Sequence, residues 1–137
     1  MQQLNVLDFI EVTGVFERKI NLALNYAGLR LPHFRAMALL NNTGKITVSD
    51  LSKALSVTTA TTSVLVKQLK KAGVLETLSN TSDKRSHYLL LTELGVQRLQ
   101  VAKQEIELAQ AKISERMSEE LISTLNHISM VVKEEFK

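Results

Sequence analysis

The feature that most constrains this chain is a change of hydrophobic period inside residues 47–92. Thr47-Val48-Ser49-Asp50 signals a helix start: a threonine hydroxyl can accept from the third backbone N–H, while Asp50 reaches back and complements the helix dipole. The short helix that follows is expected to carry Leu51, Ala54 and Leu55 on one face. Ser56-Val57 leaves room for a tight connection before Thr58 or Thr59 caps a second helix. In that helix Thr62, Leu65, Val66 and Leu69 fall at i, i+3, i+4 and i+7, a single stripe, and Ala72-Gly73 ends it with a glycine suited to a left-handed turn. From Val74 the pattern is that of strands. Val74, Leu75, Thr77 and Leu78 are compatible with one, Ser79-Asn80-Thr81-Ser82-Asp83 is a polar turn cluster, and 86–91 is rich in β-formers up to Thr92. The predicted order is helix, tight turn, helix, hairpin.

Long helical patterns flank this segment. Residues 4–26 read as a helix with Leu4, Leu7, Ile10, Phe16, Ile20 and Leu24 in phase, weakened at Gly14 and broken at Gly28. Its apolar stripe is broad, because Val6, Phe9, Val12 and Val15 widen it. Pro32, the only proline, suits the first turn of a helix whose inward side chains would be Phe34, Met37, Ala38 and Leu40, with Asn41-Asn42-Thr43-Gly44 as the stop. Lys45-Ile46 allows a very short strand. After Thr92, Leu94, Leu99, Val101, Ala102, Ile106, Ala109 and Ile113 mark a helix to about Met117. Ser118 caps another, with Leu121, Leu125, Ile128 and Val132 in phase. The fold class expected is mainly α with a small β-hairpin, in one domain of 137 residues.

Composition narrows the function. With apolar residues at 45% but aromatics at only 4%, the core must be built from Leu, Val, Ile and Ala. The absence of Cys removes disulfides, thiolate metal sites and thiol redox switching. No apolar run approaches the ~20 residues of a membrane span, and no signal-peptide pattern opens the chain. The expectation is a cytoplasmic protein without a membrane partner. Net charge is +3, but its distribution is uneven: residues 53–85 hold six basic and two acidic residues, a net +4, so the remainder carries −1. Such a segment is the footprint of a surface that meets phosphates, although an ordinary solvated face has the same composition.

The second short helix could lie in a major groove about 12 Å wide, with its exposed face as the reading face. Thr59, Thr61 and Ser63 offer hydroxyls to phosphates or base edges. Lys67, Lys70 and Lys71 supply charge, and Ala60 and Val64 could touch a thymine methyl. Taken singly, each is equally well a cap or a solvated residue. Catalysis is not expected. His33, His87 and His127 are scattered without metal-ligand spacing, the five glycines stand singly, and no nucleophile elbow or carboxylate pair occurs. No cofactor or metal is expected.

Residues 29–99 resemble the core of the MarR family (multiple antibiotic resistance regulators). The most specific stretch is Asp83-Lys84-Arg85-Ser86-His87-Tyr88-Leu89-Leu90-Leu91-Thr92, which fits the family wing pattern D-x-R-x-x-x-[VL]-x-L-T, and Thr92-Glu93-Leu94-Gly95 continues it. Asp50-Leu51-Ser52-Lys53-Ala54-Leu55 and 57–74 resemble the family's two short helices. The resemblance implies a winged helix-turn-helix core at 29–99, with 1–28 and 100–137 as dimerisation helices. It implies a homodimeric regulator, probing a palindromic operator in double-stranded DNA and nucleoid-associated when bound. The repressor role and its relief by a small-molecule effector come from the same source. Arg85 would enter the minor groove, where a narrow A·T-rich groove focuses negative potential, with Lys84 beside it and Asp83 orienting it. The bland alternative for Asp83 and Arg85 is a surface ion pair. Polar groups near an effector junction would be Arg30, His33 and Arg35, all of which also read as surface or capping residues. Two departures stand out: Val64 occupies a position where the family often has arginine, and Arg30 one where it often has a hydroxyl cap. The first keeps open an alternative class, a winged-helix protein-interaction module without DNA contact.

Overall fold

The computed structural model describes residues 1–79 and 87–137. Helix α1 (Val6–Leu24) ends in a 3-10 turn (Asn25–Ala27), followed by α2 (Leu31–Thr43), β1 (Ile46–Thr47), α3 (Val48–Leu55), α4 (Thr59–Lys71), β2 (Leu75–Ser79), β3 (His87–Leu91), α5 (Glu93–Ser114) and α6 (Glu119–Glu135). Five helices begin with a side-chain cap. The acceptors are Asn5 Oδ1 for Asp8 N–H (3.2 Å), Thr47 for Asp50 (3.2 Å), Thr58 for Thr61 (3.1 Å), Thr92 for Gly95 (3.1 Å) and Ser118 for Leu121 (3.1 Å). Each satisfies one N–H that the first turn of a helix leaves without a partner.

The strands form an antiparallel sheet in the order β1-β3-β2, with Ile46 opposite Leu89, Leu75 opposite Leu91 and Ser79 opposite His87. Only Leu75 of β2 is buried, so the hairpin leaves the body of the protein as it runs toward Ser79. The core is one cluster: Leu24, Ala27 and Leu29, then Ala36, Met37 and Leu40 of α2, Leu51 of α3, Val66 and Leu69 of α4, Val74, Leu75 and Leu89 from the sheet, and Leu99 and Ala102 of α5. None of its buried members is aromatic. Helix α6 contributes no buried residue, and α1 contributes only Leu24.

Several expectations are corrected in detail. Ala54 is exposed; the buried residues of α3 are Leu51 and Ser52, with Leu55 half-buried. Ser52 takes the inward position because a hydroxyl of α4 is there to bond it. The stop at Asn41-Asn42-Thr43-Gly44 falls late: α2 continues through Thr43, whose hydroxyl donates to the Leu39 carbonyl (3.0 Å), and only Gly44, at φ +83°, leaves the helix. In α5 Leu94 and Val101 are exposed. In α6 Leu121 and Val132 are exposed while Ile122, Leu125 and Ile128 are half-buried, because none of the described residues covers the rest of that face.

Candidate nucleic-acid interface

Helices α3 and α4 are joined by Ser56-Val57-Thr58. Ser56 is the one non-glycine residue at positive φ (+56°) among the described residues. Its N–H and that of Val57 donate back to the Lys53 and Ser52 carbonyls (3.2 and 3.1 Å), which closes α3 within a single turn. A left-handed serine costs on the order of 1 kcal/mol, and the bonds it enables offset that. The angle between the helices is held from inside. The Ser52 hydroxyl lies 2.8 Å from both the Val48 carbonyl and Thr62 Oγ1, and Thr62 Oγ1 lies 3.1 Å from the Thr58 carbonyl. Two oxygens 2.8 Å apart require a proton between them, so one hydroxyl donates to the other. Ser52 (3% exposed) and Thr62 (0%) are the buried polar residues among the described ones, and both are satisfied.

This framework divides α4 cleanly. Thr62, Leu65, Val66 and Leu69 are buried, as their spacing predicts. Thr59, Ala60, Thr61, Ser63, Val64, Lys67 and Lys70 are all exposed, and Lys71 continues the row. The structure therefore brings the helical members of the predicted reading face together on one open surface. The Thr61 hydroxyl is partly committed, lying 3.0 Å from that of Thr58. The only ion pair among the described residues joins Lys137 and Glu134 (3.5 Å), so the α4 lysines are not matched by carboxylates there. Asp83, Lys84 and Arg85 lie outside the described residues. The strands that lead to them do pair, with Thr92 anchoring the base: its hydroxyl donates to the Gly73 carbonyl (2.7 Å) and its N–H to the Val74 carbonyl (3.1 Å).

Two features of this surface escaped the sequence reading. Lys45 Nζ stands 4.7 Å from the centre of the Tyr88 ring, which places a cation on the β1–β3 side of the sheet. Lys45 precedes β1 and Tyr88 lies in β3, so only the strand pairing reveals the contact. The second concerns His33. Arg30 precedes α2 but has no acceptor atom, and His33 does the capping instead: its Nδ1 accepts the Arg30 N–H (3.3 Å). Asn21 Oδ1 accepts the next N–H, that of Leu31 (2.8 Å). Because Nδ1 accepts, Nε2 carries the ring proton and donates to Gln68 Oε1 of α4 (2.8 Å). The spacing Arg30-x-x-His33 is that of a capping box, a signal that could have exposed this role.

The three proposed effector residues lie at the start of α2, where Arg30 and His33 are in contact. Arg30 and Arg35 are exposed and His33 uses both ring nitrogens within the protein. An open groove of about 710 Å³, lined by residues such as Leu22, Tyr26, Glu105, Leu108 and Lys112, lies between the end of α1 and α5 and includes none of the three. Among the described residues no His, Asp and Glu cluster could hold a metal, and no helix is long and apolar enough to cross a membrane.

Comparison with known proteins places this geometry. A sequence model of the MarR family matches residues 29–87. The HTH-type transcriptional repressor IacR of Pseudomonas putida is 25% identical over 89 residues, 65% of this chain and 53% of that protein. An uncharacterised HTH-type transcriptional regulator of Bacillus subtilis, YfiV, is 31% identical over 65 residues, 47% of this chain and 41% of that protein. The chain thus spans about half the length of these curated relatives. Among solved structures, a cysteine-to-serine mutant of Escherichia coli MarR complexed with operator DNA superposes with a TM-score of 0.80 at 22% identity, covering 90% of this chain and 89% of that one, which establishes the shared fold. The helix-turn-helix of α3 and α4, the antiparallel hairpin and this superposition give the chain a winged helix-turn-helix fold, and its residues 29–87 are similar to the MarR family.

Proposed function

We propose that this chain is a sequence-specific, double-stranded DNA-binding transcriptional regulator that acts as a homodimer, most simply as a repressor occupying a palindromic operator. The observation that carries this reading is the division of α4: one face is built into the core, and the other presents exposed hydroxyl, aliphatic and lysine side chains with a single carboxamide, Gln68. That face would enter the major groove, and Arg85, oriented by Asp83 and with Lys84 beside it, would meet the flanking minor groove. Repressors and operator DNA appear in the names of similar proteins, and they support the reading by analogy.

The domain assignment belongs to the same proposal: 29–99 as the reading unit, with 1–28 and 100–137 joining two copies. Leu7, Phe9, Ile10 and Val12 of α1 and Met130 and Val131 of α6 are exposed, a large apolar surface that a second copy would cover. A two-fold dimer sets the reading helices about one DNA turn, ~34 Å, apart, or a multiple of it. A small molecule bound where the terminal helices meet the reading unit would alter that spacing, and Arg30 and Arg35 are exposed cations near the junction. The protein would work in the cytoplasm, without catalysing a reaction.

The test is selection from a random duplex pool, followed by affinity measurements over a range of salt. A palindrome should emerge, with log affinity falling linearly with log salt as counterions are released. Lys67→Ala and Arg85→Ala should each weaken binding, and each lost phosphate contact should flatten the salt slope by about one unit. Unchanged affinity in both variants would show the surface to be wrongly assigned. The exposed, uncharged Val64 is the one observation that favours a protein-interaction module instead. Failure to bind heparin or any duplex at low salt would decide for it.

A further inference from the structure

The outward face of α4 has two halves of different chemistry. Thr59, Ala60, Thr61, Ser63 and Val64 carry no charge, and the cations Lys67, Lys70 and Lys71 all lie beyond Val64. A helix in the major groove touches base edges mainly with its N-terminal residues. The side chains that read bases with paired hydrogen bonds are Arg or Lys on guanine and Asn or Gln on adenine, and this half has none of them. The one carboxamide of the helix, Gln68, lies in the other half and has its Oε1 bonded to His33 of α2 (2.8 Å). Thr61 shares a hydroxyl contact with Thr58, the residue that caps the helix. What the N-terminal half presents besides hydroxyls is aliphatic carbon: Val64, 55% exposed, at its inner end, and Ala60 one turn before it.

We infer that Val64, with Ala60 beside it, is the main base-reading side chain, and that it recognises the C5-methyl group of a thymine at one position in each half-site. This rests on the duplex-DNA reading proposed above. The thymine methyl is the one apolar group on the major-groove edge of a base pair. Packing it on the valine methyls removes apolar surface from water on both sides. Any other base there sets a donor or acceptor beneath Val64, where it loses water and gains no partner. The lysines beyond Val64 then hold the helix on the phosphates without choosing bases.

The experiment replaces each thymine of the selected duplex, one at a time, with deoxyuridine, which removes only the methyl group. One position per half-site should lose about fourfold in affinity, the equivalent of one buried methyl. Substituting both half-sites together should cost roughly fifteenfold, since the two contacts are independent. A 5-methylcytosine·guanine pair at that position should bind better than cytosine·guanine, because it restores a methyl at the same place. Val64→Ser removes both valine methyls and should bind the thymine and uracil duplexes nearly equally well, whereas Val64→Arg should shift the selected base to guanine. If the protein selects a palindrome yet tolerates uracil everywhere, or if Val64→Ser keeps full uracil sensitivity, the inference is overturned and DNA binding stands. If no duplex is selected at all, the proposed function falls and this inference falls with it.

Discussion

Gly95 sits at the third position of α5, where replacement by alanine would ordinarily help, since alanine is about 1 kcal/mol better than glycine within a helix. Here the environment reverses the sign. A Cβ on Gly95 would fall inside contact distance of the Val74 carbonyl oxygen, 3.1 Å from the Val74 carbonyl carbon and 3.4 Å from Leu91 Cβ. The obstruction is backbone, which no rotamer change can clear. To admit the methyl, the start of α5 must lift from the base of the hairpin. That strains the Thr92 N–H bond to the Val74 carbonyl and the Thr92 hydroxyl bond to the Gly73 carbonyl. Two bonds at about 1 kcal/mol each, with overpacking of about 1–3 kcal/mol, outweigh the helical gain and leave a net loss of about 2–4 kcal/mol. Urea unfolding followed by circular dichroism at fixed protomer concentration should show the midpoint of Gly95→Ala lowered by about 1–2 M. Gly14→Ala is the contrasting control: its Cβ would meet only the end of the Arg18 side chain at 3.6 Å, so it should gain about 0.5–1 kcal/mol. A Gly95→Ala protein as stable as the parent would refute the close approach of α5 to the wing base.

Three further outcomes follow from the same geometry. Ser52→Ala and Thr62→Val should each cost about 1 kcal/mol; the double variant, measured by urea unfolding, should cost clearly less than their sum, and additivity would show that the two hydroxyls do not interact. His33→Ala should cost about 1 kcal/mol through the lost helix cap, and His33→Gln should recover most of it, because Gln can accept the same N–H; equal loss in both variants would contradict the capping role. Leu125→Asp, placed where α6 faces Phe9 and Phe16 of α1, should shift sedimentation from dimer to monomer while helical content is kept; a dimer of unchanged strength would remove the terminal helices from the proposed interface.

The local order of elements could be read from the chain because it is written in short-range chemistry. A hydroxyl or amide side chain lies just before five of the six helices, and each one caps as its type predicts. Gly28, Gly44 and Gly73 stand where the backbone turns left-handed. The stripe of α4 was legible residue by residue, since Thr62, Leu65, Val66 and Leu69 need only a 3.6-residue period to share a face. The errors came where burial depended on a partner. Ala54 fits the apolar pattern of α3, yet the buried place goes to Ser52, because Thr62 of another helix supplies its hydrogen bond.

Long-range partners were likewise invisible. No periodicity joins His33 to Gln68, 35 positions away, or Lys45 to Tyr88 across two strands. By its sequence alone, the segment 47–92 was bound to form two short helices and a hairpin, and the exposed face of the second helix was already named. The tertiary structure decided what lies on that face in usable form. Gln68 is bonded back to α2, the lysines fall in the C-terminal half, and Val64 stands at the centre. The physical reason is that period and capping act within a few residues of chain, while the availability of a side chain depends on which distant atoms it meets after packing.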